Sequence, residues 1–213
     1  ESSLNFNYLA KELKEFVAFD PSGSFASPVF VENVANQNLH ASPFVDYVIV
    51  SHPDFLGEAE RLGEIHKGYN GMSYSVINIE HIYNEFSSGK PDVTAIRSFV
   101  RMLYDKAGAD KSKQPKNLLL FGDGSYDNRQ GIAGNTNKIP TYQSDNSIHE
   151  TQSYVSDDYI GLLDPYEGVN VPSDKVDIGI GRFPVNTLEE ARNAVDKTYK
   201  YYYQQSTDQW KSN

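Results

Sequence analysis

The sequence contains no cysteine among its 213 residues. This absence excludes a disulfide-stabilised scaffold, a cysteine-based zinc site and, within this chain, a thiol nucleophile. No apolar run approaches the roughly 20 residues that a membrane-spanning helix needs. The first residues also lack a basic region followed by an apolar stretch, so they do not resemble a signal peptide. We therefore expect any targeting signal to lie outside this sequence.

Basic residues are few, since 19 Lys and Arg stand against 29 Asp and Glu and give a formal net charge of −10. An acidic surface repels nucleic acid and anionic membranes, so we expect no nucleic-acid partner. Apolar residues make up 38% of the chain and aromatic residues 13%, which is enough for a folded core. The length fits one domain with a flanking piece.

Residues 1–43 differ in pattern from the rest of the chain. Clusters of proline, glycine and serine surround two short apolar runs, at 16–19 and 29–31. Short apolar runs bounded by turn residues are typical of strands. We therefore predict an N-terminal β segment or the tail of a preceding domain over residues 1–43, and a main domain over residues 44–213.

From residue 44 onward, strand-like and helix-like patterns alternate. Nearly continuous apolar runs predict strands that are covered on both faces, and apolar stripes at helical spacing predict helices. The order predicts an α/β fold with a twisted, mostly parallel sheet and helices on both faces. The predicted elements are a strand at 44–50, a helix from 55 that ends at Gly71, a strand at 74–79, a helix from 93 that ends at Gly108, a strand at 118–121, a strand at 176–181 and a helix at 188–202.

Several local signals refine this pattern. Ser51 with Asp54, and Thr187 with Glu190, have the spacing of a helix capping box. Polar loops are predicted at 84–91 and 122–153, and a short strand or hairpin is predicted at 155–163. In the last strand, Gly179 and Gly181 predict a close approach of a neighbouring segment.

Ligands bind open parallel sheets beyond the carboxyl ends of the strands, and residues 122–129 follow such an end. Four interpretations of this polar segment remain open, and the last of them is direct contact with a substrate. Asp123, Asp127 and Asn128, with Asp157 or Asp158, are oxygen donors suited to calcium or magnesium. Their spacing, however, does not match an EF-hand loop. A phosphate-binding turn is the second interpretation, although the segment lacks both the G-x-G-x-x-G pattern and the lysine of a P-loop. The third is an ordinary turn, since Gly, Asp and Asn are common turn residues.

The remaining polar residues at the strand ends give weaker signals. Adjacent side chains on a strand point to opposite faces, so we expect one of Asp157 and Asp158 to be buried and hydrogen-bonded and the other to be solvated. Arg182 is predicted to form an ion pair with an acidic group at this edge. His52 is the histidine placed at a strand end, but no histidine pair has a metal-ligand spacing, and no Ser-His-Asp arrangement is present.

Several ordered motifs together resemble one family, the gingipain-like cysteine peptidases, and within it the sortase-like peptidases of the type IX secretion system of Bacteroidetes. The resemblance runs over essentially the whole chain. The motifs are residues 19–25 (FDPSGSF), 37–41 (QNLHA), 48–55 (VIVSHPDF), 59–62 (AERL), 82–89 (IYNEFSSG), 118–129 (LLLFGDGSYDNR) and 177–184 (DIGIGRFP).

The resemblance implies a catalytic domain made of two α/β subdomains in a caspase-like arrangement. The nucleophilic cysteine and its histidine, in a Gly-His-Gly motif, belong to the second subdomain. This sequence has neither, so it carries no catalytic residue, and we expect it to stop near Trp210, soon after the first subdomain. Its predicted role is to support the catalytic half and to form a cleft wall with Asp123, Tyr126, Asp157 and Asp158.

The resemblance also implies a place and partners for the whole protein. It predicts the outer-membrane surface of a Gram-negative bacterium, where the protein removes C-terminal sorting domains of secreted cargo and can join the cargo to an anionic lipopolysaccharide. The implied partners are the second subdomain, the cargo proteins and other secretion-system components. No cofactor is expected, and a structural divalent cation at the acidic loops stays open.

Three alternatives compete with this function. One is a docking module of the secretion apparatus whose downstream catalytic half is degenerate. Another is an autonomous metal-dependent hydrolase that uses Asp123, Asp127 and Asp157. A flavodoxin-like cofactor module also fits the element order, but no phosphate-binding loop follows the first strand.

Overall fold

The structure is a computed structural model that describes residues 5–9, 11–30, 33–128, 133–146 and 148–204. The chain divides into two compact units, Glu1–Asn36 and Gln37–Asn213. The boundary between them comes before the predicted one at residue 43, because residues 37–41 pack with the second unit. Gln37 donates to the carbonyl oxygen of His81 at 2.7 Å, and the Leu39 amide donates to Glu85 at 2.7 Å.

The first unit covers most of the region for which an N-terminal β segment or the tail of a preceding domain was predicted. Within its described residues no strand is present, and Val31 lies outside them. A strand needs a neighbour that accepts its backbone hydrogen bonds, and the apolar runs here stay exposed, with Val17 at 86% and Val29 at 85%. The predicted turn is present, since the Gly23 amide donates to the carbonyl oxygen of Asp20 at 3.0 Å.

The second unit is built on a parallel four-stranded sheet, which confirms the predicted α/β class. Its order is β2-β1-β3-β6, and a separate two-stranded antiparallel sheet pairs β4 with β5. The strand β1 is fully buried, because it lies between β2 and β3 and because both faces of the sheet are covered. The strands are β1 (Tyr47–Ser51), β2 (Tyr74–Asn78), β3 (Asn117–Phe121), β4 (Tyr142–Gln143), β5 (Val155–Ser156) and β6 (Gly179–Phe183).

Helices cover both faces of the parallel sheet. On one face, α2 and α3 bury a core that includes Phe99, Ile96 and Ile82 against Val48 and Leu120. On the other face, α1 and α4 bury a second core around Phe55, Leu62 and Phe121. This two-sided burial is the physical reason for the continuous apolar strands. The helices are α1 (Leu56–Asn70), α2 (Ile79–Phe86), α3 (Val93–Ala107) and α4 (Leu188–Tyr203).

The predicted helix ends are confirmed at three places. The first helix ends at Gly71, which has a left-handed φ of 67° and donates to the Lys67 carbonyl oxygen. The third helix ends at Gly108. At the start of α4, the Thr187 side chain accepts from the Glu190 amide while Glu190 binds the Thr187 amide, so the capping box is complete.

Two local predictions were wrong. The polar loop predicted at 84–91 is helical up to Phe86, because Asn78 caps a helix whose Ile82 and Tyr83 side chains are buried. Ser51 does not cap the first helix, since its hydroxyl donates to the His52 carbonyl oxygen. Instead, the His52 side chain accepts from the Asp54 amide and caps a 3-10 turn that precedes α1.

The last strand begins later than predicted, at Gly179 instead of residue 176. Residues before it turn toward a neighbouring loop, because Asp177 accepts from the Leu163 amide at 2.7 Å and from the Asp164 amide at 3.2 Å. Close approach at Gly179 is confirmed, since a Cβ there would lie 2.7 Å from the Asn117 side-chain oxygen.

Within the described residues, no helix combines the length and the apolar character that crossing a membrane requires.

Candidate functional site

The candidate site lies at the carboxyl edge of the parallel sheet, where the ends of three strands stay bonded to one another. The His52 amide donates to the Phe121 carbonyl oxygen at 3.2 Å, which joins the ends of β1 and β3. The Gly122 amide donates to the Phe183 carbonyl oxygen at 3.0 Å, which joins β3 to β6. From β1 the chain continues to β2 on one side, and from β3 it continues to β6 on the other. The ends of β1 and β3 therefore form the switch point at which α/β folds bind ligands.

Arg182 organises this edge from its place on β6. Its Nε and Nη2 atoms donate to the two carboxylate oxygens of Asp157 at 2.8 and 2.7 Å. Nη1 donates to the carbonyl oxygens of Gly122 at 2.8 Å and Ile139 at 2.9 Å, and Nη2 also reaches Pro140 at 3.4 Å. Only 13% of the Arg182 side chain is exposed. The predicted ion pair of Arg182 with an acidic edge residue is therefore present, and its partner is Asp157.

Two glycines after β3 make room for this network. A Cβ at Gly124 would lie 3.3 Å from the Arg182 guanidinium carbon and 3.1 Å from the Ile139 carbonyl oxygen. Gly122 has a φ of 154°, and a Cβ there would meet the Lys138 side chain at 3.0 Å. A larger residue at either place would push the loop away from the guanidinium, so glycine is required for close packing.

A cavity of about 210 Å³ opens beside the network, and we call it the edge cavity. It gathers residues from the end of β3, the long loop, β5 and β6. Its lining residues are Asp123, Gly124, Thr141, Val155, Ser156, Asp157 and Arg182.

Asp123 is held as a carboxylate at the edge cavity. Burial alone would raise its pKa, but a side-chain hydrogen bond from Asn186, further hydrogen bonds and the charge of Arg182 outweigh burial, so its pKa is lowered. Asn186 Nδ2 lies 3.0 Å from Asp123 Oδ2. Arg182 donates to both carboxylate oxygens of Asp157 and to none of Asp123. Asp123 is therefore a second negative charge in the cavity lining, and its carboxylate is hydrogen-bonded by the neutral amide of Asn186.

The end of β1 joins the same edge through the long loop. Lys138 Nζ lies 3.0 Å from Asp54 Oδ2, and the Lys138 amide donates to the Asp123 carbonyl oxygen at 2.9 Å. His52 Nδ1 accepts from the Asp54 amide at 3.3 Å. Burial, followed by the charge of Lys138, lowers the pKa of His52. His52 therefore lies at the predicted edge, where its ring nitrogen contacts the turn after β1.

The four residues predicted for a cleft wall separate into two pairs. Asp123 and Asp157 line the edge cavity together. Tyr126 is 80% exposed and Asp158 is also exposed, and neither lines this cavity. Of the adjacent carboxylates, Asp157 is partly buried and hydrogen-bonded to Arg182, while Asp158 is exposed. Neither lies on a strand, since β5 ends at Ser156.

The carboxylates proposed for metal hydrolysis do not form a close cluster. Among the described residues, the acidic group whose oxygens lie within 4.8 Å of one another is Asp164, Glu167 and Asp177. There, Asp177 already accepts two backbone amides of the adjoining turn. Asp157 is engaged by a guanidinium, so its oxygens are not arranged for a cation shared with Asp123.

Sequence reasoning missed the residues that join the loops. Lys138 and Asn186 sit in segments without periodicity, and their partners are far away in the chain. The motif of residues 122–124 gave a usable signal, since two glycines around an aspartate after a buried strand indicate a tightly packed turn. Nothing in the sequence indicated that Arg182 would bind the loop at Ile139.

Comparison with known proteins identifies the family. Residues 40–213 match peptidase family C25. The chain belongs to peptidase family C25. No curated protein sequence matches it.

Solved structures agree with the C25 assignment. The chain is 40% identical to latent PorU from Porphyromonas gingivalis, a dimer in its crystal, with a TM-score of 0.71 over 84% of this chain and 18% of PorU. It is 21% identical to the complex of RgpB pro- and mature domains from the same organism, with a TM-score of 0.51 over 73% of this chain and 28% of that one. Arginine-specific gingipain R (RgpB) shows the same fold at 17% identity and a TM-score of 0.51, over 78% of this chain and 30% of that chain.

The C25 chain is thus related to PorU, and it spans less than a third of each of these relatives. The gingipain-like resemblance of its motifs is confirmed.

Proposed function

We propose that this chain is the non-catalytic first half of a C25 cysteine peptidase and that its edge cavity forms one wall of the substrate cleft. The observation that carries the proposal is a cavity with two fixed carboxylates at the ligand-binding edge of the sheet, in a C25 chain that has no cysteine. A thiolate nucleophile needs a cysteine. The chemistry therefore comes from a second subdomain, and this chain supplies shape and charge beside it.

The unpaired side of the outer strand β6 supports the proposal of a partner subdomain. Among the described residues, β6 pairs with β3 on one side and has no strand on the other. A parallel strand at an edge is normally covered, because its unpaired backbone groups otherwise invite association. The second subdomain of the same protein is the partner that we propose for this side.

For the whole protein we propose a cell-surface sortase of the type IX secretion system. The 40% identity to PorU supports this role. In this role the protein, at the outer membrane of a Gram-negative bacterium, cleaves C-terminal sorting domains from secreted cargo. Its partners are the cargo proteins and other components of the secretion system.

The test compares the 213-residue chain with the full-length protein that carries it. A purified cargo protein with its sorting domain is the substrate, and the released domain is followed by mass spectrometry. We expect the full-length protein to cleave, the 213-residue chain to be inactive, and a cysteine-to-alanine variant in the second half to lose activity. Equal cargo processing by the cysteine variant would instead support a docking module.

The wall is tested by the Asp123→Asn variant of the full-length protein. Removing the charge should lower kcat/KM at least about tenfold, since a charged contact contributes about 1.5–3 kcal/mol. Asp158→Asn is the matched control, because Asp158 is a carboxylate of the same edge that lies outside the edge cavity. Equal activity of Asp123→Asn and wild type would contradict the wall.

A further inference from the structure

We infer that Arg182 is the positioning residue of the edge cavity and that its guanidinium sets the distance between the two sides of the proposed cleft wall. The inference rests on the proposed function, because the wall matters for a reaction only beside a catalytic half. Its geometric part concerns this chain alone and is tested separately.

One side of the edge cavity is held by backbone hydrogen bonds. The Asp123 amide donates to the Val185 carbonyl oxygen at 3.0 Å. The Asp123 carbonyl oxygen accepts from the Lys138 and Ile139 amides, each at 2.9 Å. The turn after β3 and the loop at Ile139 are therefore fixed to each other before any side chain is considered.

The other side, at Asp157, is joined to this frame by the guanidinium. Asp157 precedes a 3-10 turn and binds it through its carbonyl oxygen, which accepts from the Ile160 amide at 3.0 Å. Its carboxylate accepts hydrogen bonds from Nε and Nη2 of Arg182. The remaining nitrogen, Nη1, donates to the carbonyl oxygens of Gly122 and Ile139. One side chain thus spans both sides of the cavity.

Only a guanidinium can make this set of contacts. It is planar and presents five N–H donors in a fixed fork, which allows two parallel bonds to a carboxylate and further bonds from its other edge. A lysine ammonium keeps the charge, but its three donors radiate from one nitrogen. It therefore cannot make the parallel pair with Asp157 together with the bonds to the carbonyl oxygens of Gly122 and Ile139. The lysine variant therefore separates the effect of charge from the effect of geometry.

The role of Arg182 is to shape the cavity, because its guanidinium is already engaged by groups of this chain. The Asp157 carboxylate lies against it bidentately, and the side chains of the pair are 13% and 23% exposed. Asp123 and Asp157 are thereby presented at a fixed separation. A substrate group that binds between them would lose affinity when this separation is no longer fixed, while the reacting atoms of the second half stay unchanged.

The first experiment measures amide exchange by NMR in the 213-residue chain. For Arg182→Lys and Arg182→Gln, we expect the Ile160 amide, on the Asp157 side of the cavity, to exchange at least about tenfold faster than in wild type, since loss of local bonds raises local opening. Amides of α3 should stay within about twofold. Arg192→Gln is the matched control, because the Arg192 side chain is 57% exposed, pairs with Glu58 at 3.4 Å and does not line the edge cavity.

Two results would overturn the geometric part. One is exchange in Arg182→Lys equal to wild type, which would show that charge alone suffices. The other is equal acceleration of the α3 amides and the Ile160 amide, which would mean a general loss of stability. If the Arg182 variants do not fold, Asp157→Asn decides by the same criteria, because it removes the charge of the carboxylate and leaves the arginine contacts to the carbonyl oxygens.

The second experiment measures steady-state cleavage by the full-length protein with Arg182→Lys. We expect KM to rise at least about fivefold and kcat to stay within about twofold, as for a loss of substrate positioning. Faster edge exchange with an unchanged KM would overturn the role of Arg182 in the reaction. If Asp123→Asn also left kcat/KM unchanged, the proposed wall itself would be contradicted, so the two failures are distinguishable.

Discussion

The two edges of the parallel sheet are both held by a charged residue that joins three segments, but they are built differently. At the amino edge, the Asp46 carboxylate accepts from the Ser73 amide and hydroxyl and pairs with Lys116. The Asp46 carbonyl oxygen also accepts from the Lys116 and Asn117 amides at 2.9 and 3.0 Å. At the carboxyl edge, Arg182 joins Gly122, Ile139 and Asp157.

The difference between the edges separates stability from function. At the amino edge, Asp46 binds residues that directly precede β2 and β3, so its contacts align the strand starts. At the carboxyl edge, Arg182 binds loops that are distant in sequence, and the edge cavity of about 210 Å³ remains between them. Substitutions at the amino edge should therefore change stability alone, while those at the carboxyl edge should also change the shape of the proposed cleft.

The largest expected effect concerns the hydrophobic core that packs beneath the carboxyl edge, and it tests how much that core contributes to stability. Phe121, the last residue of β3, is fully buried and contacts Phe183 and Phe55 with ring centroids 5.4 and 6.1 Å apart. Phe121→Ala should lower the free energy of unfolding by about 3–5 kcal/mol, because it removes a large core side chain and leaves a cavity. Urea denaturation followed by circular dichroism measures this change.

Tyr126→Ala is the control for Phe121, because Tyr126 is an aromatic residue of the same edge that is 80% exposed. It should change the stability by less than about 0.5 kcal/mol. If both variants lost the same stability, the edge would depend on its loops and not on the core beneath it.

The amino edge should show a pH-dependent contribution of intermediate size. Hydrogen bonds from Lys116 and Ser73 lower the pKa of Asp46 from 3.8 to about 2. A carboxyl group with a depressed folded-state pKa stabilises the fold above its unfolded pKa, and this stabilisation is lost as the pH falls through the folded pKa. Asp46→Asn should therefore cost about 2 kcal/mol at pH 7, because a difference of one in pKa between the unfolded and folded states corresponds to about 1.4 kcal/mol.

Denaturation of wild type and Asp46→Asn from pH 7 to pH 2 checks this window. The difference between the two proteins should be constant above about pH 5 and should shrink between about pH 4 and pH 2. Asp105→Asn is the control, because Asp105 forms an exposed helical pair with Arg101. A difference that grew on acidification would have the wrong sign for a depressed pKa.

A smaller effect is expected where helix α4 begins beside the carboxyl edge. Thr187→Ala removes the bond from the Glu190 amide to the Thr187 hydroxyl, which should cost about 1 kcal/mol. Thr198→Ala is matched within the same helix, because the Thr198 hydroxyl only donates back to the Ala194 carbonyl oxygen. It should be nearly neutral, since alanine favours helix. Thermal unfolding of the two variants measures the difference, and equal losses would contradict the cap.

The sequence predicted the elements that local physics determines. Gly71 and the Thr187 capping box were correct, because helix ends depend on a few neighbouring residues. Apolar stripes also placed α1, α3 and α4. The helix at Ile79–Phe86 was missed, since its short apolar stripe directly follows a strand and merges with it.

The candidate site was predicted only in part, for the same physical reason. The order of the strands predicted the carboxyl edge of the sheet, and the polar residues that follow these strands included Asp123 and Asp157, which line the edge cavity. The long loop returns to the edge through contacts between distant residues, such as Lys138 with Asp54. Neither residue has a local pattern that indicates its partner. Tyr126 shares the same loop as Asp123, but proximity in sequence did not bring it into the cavity.

The smallest expected effect compares two arginine–carboxylate pairs of different burial. Arg192 pairs with Glu58 at 3.4 Å across α4 and α1, and its side chain is 57% exposed, whereas Arg182 is 13% exposed. Solvent and salt screen the exposed Arg192 guanidinium. Glu58 is only 13% exposed, but it keeps its pair with Arg61 at 3.0 Å, so Arg192→Gln should change the free energy of unfolding by less than about 0.5 kcal/mol. Urea denaturation at low and high salt measures this effect, and a loss above about 1 kcal/mol that disappeared at high salt would contradict it. A result near zero, set beside faster exchange in Arg182→Lys, would show that burial and multiple contacts, and not the charge pair itself, give Arg182 its role.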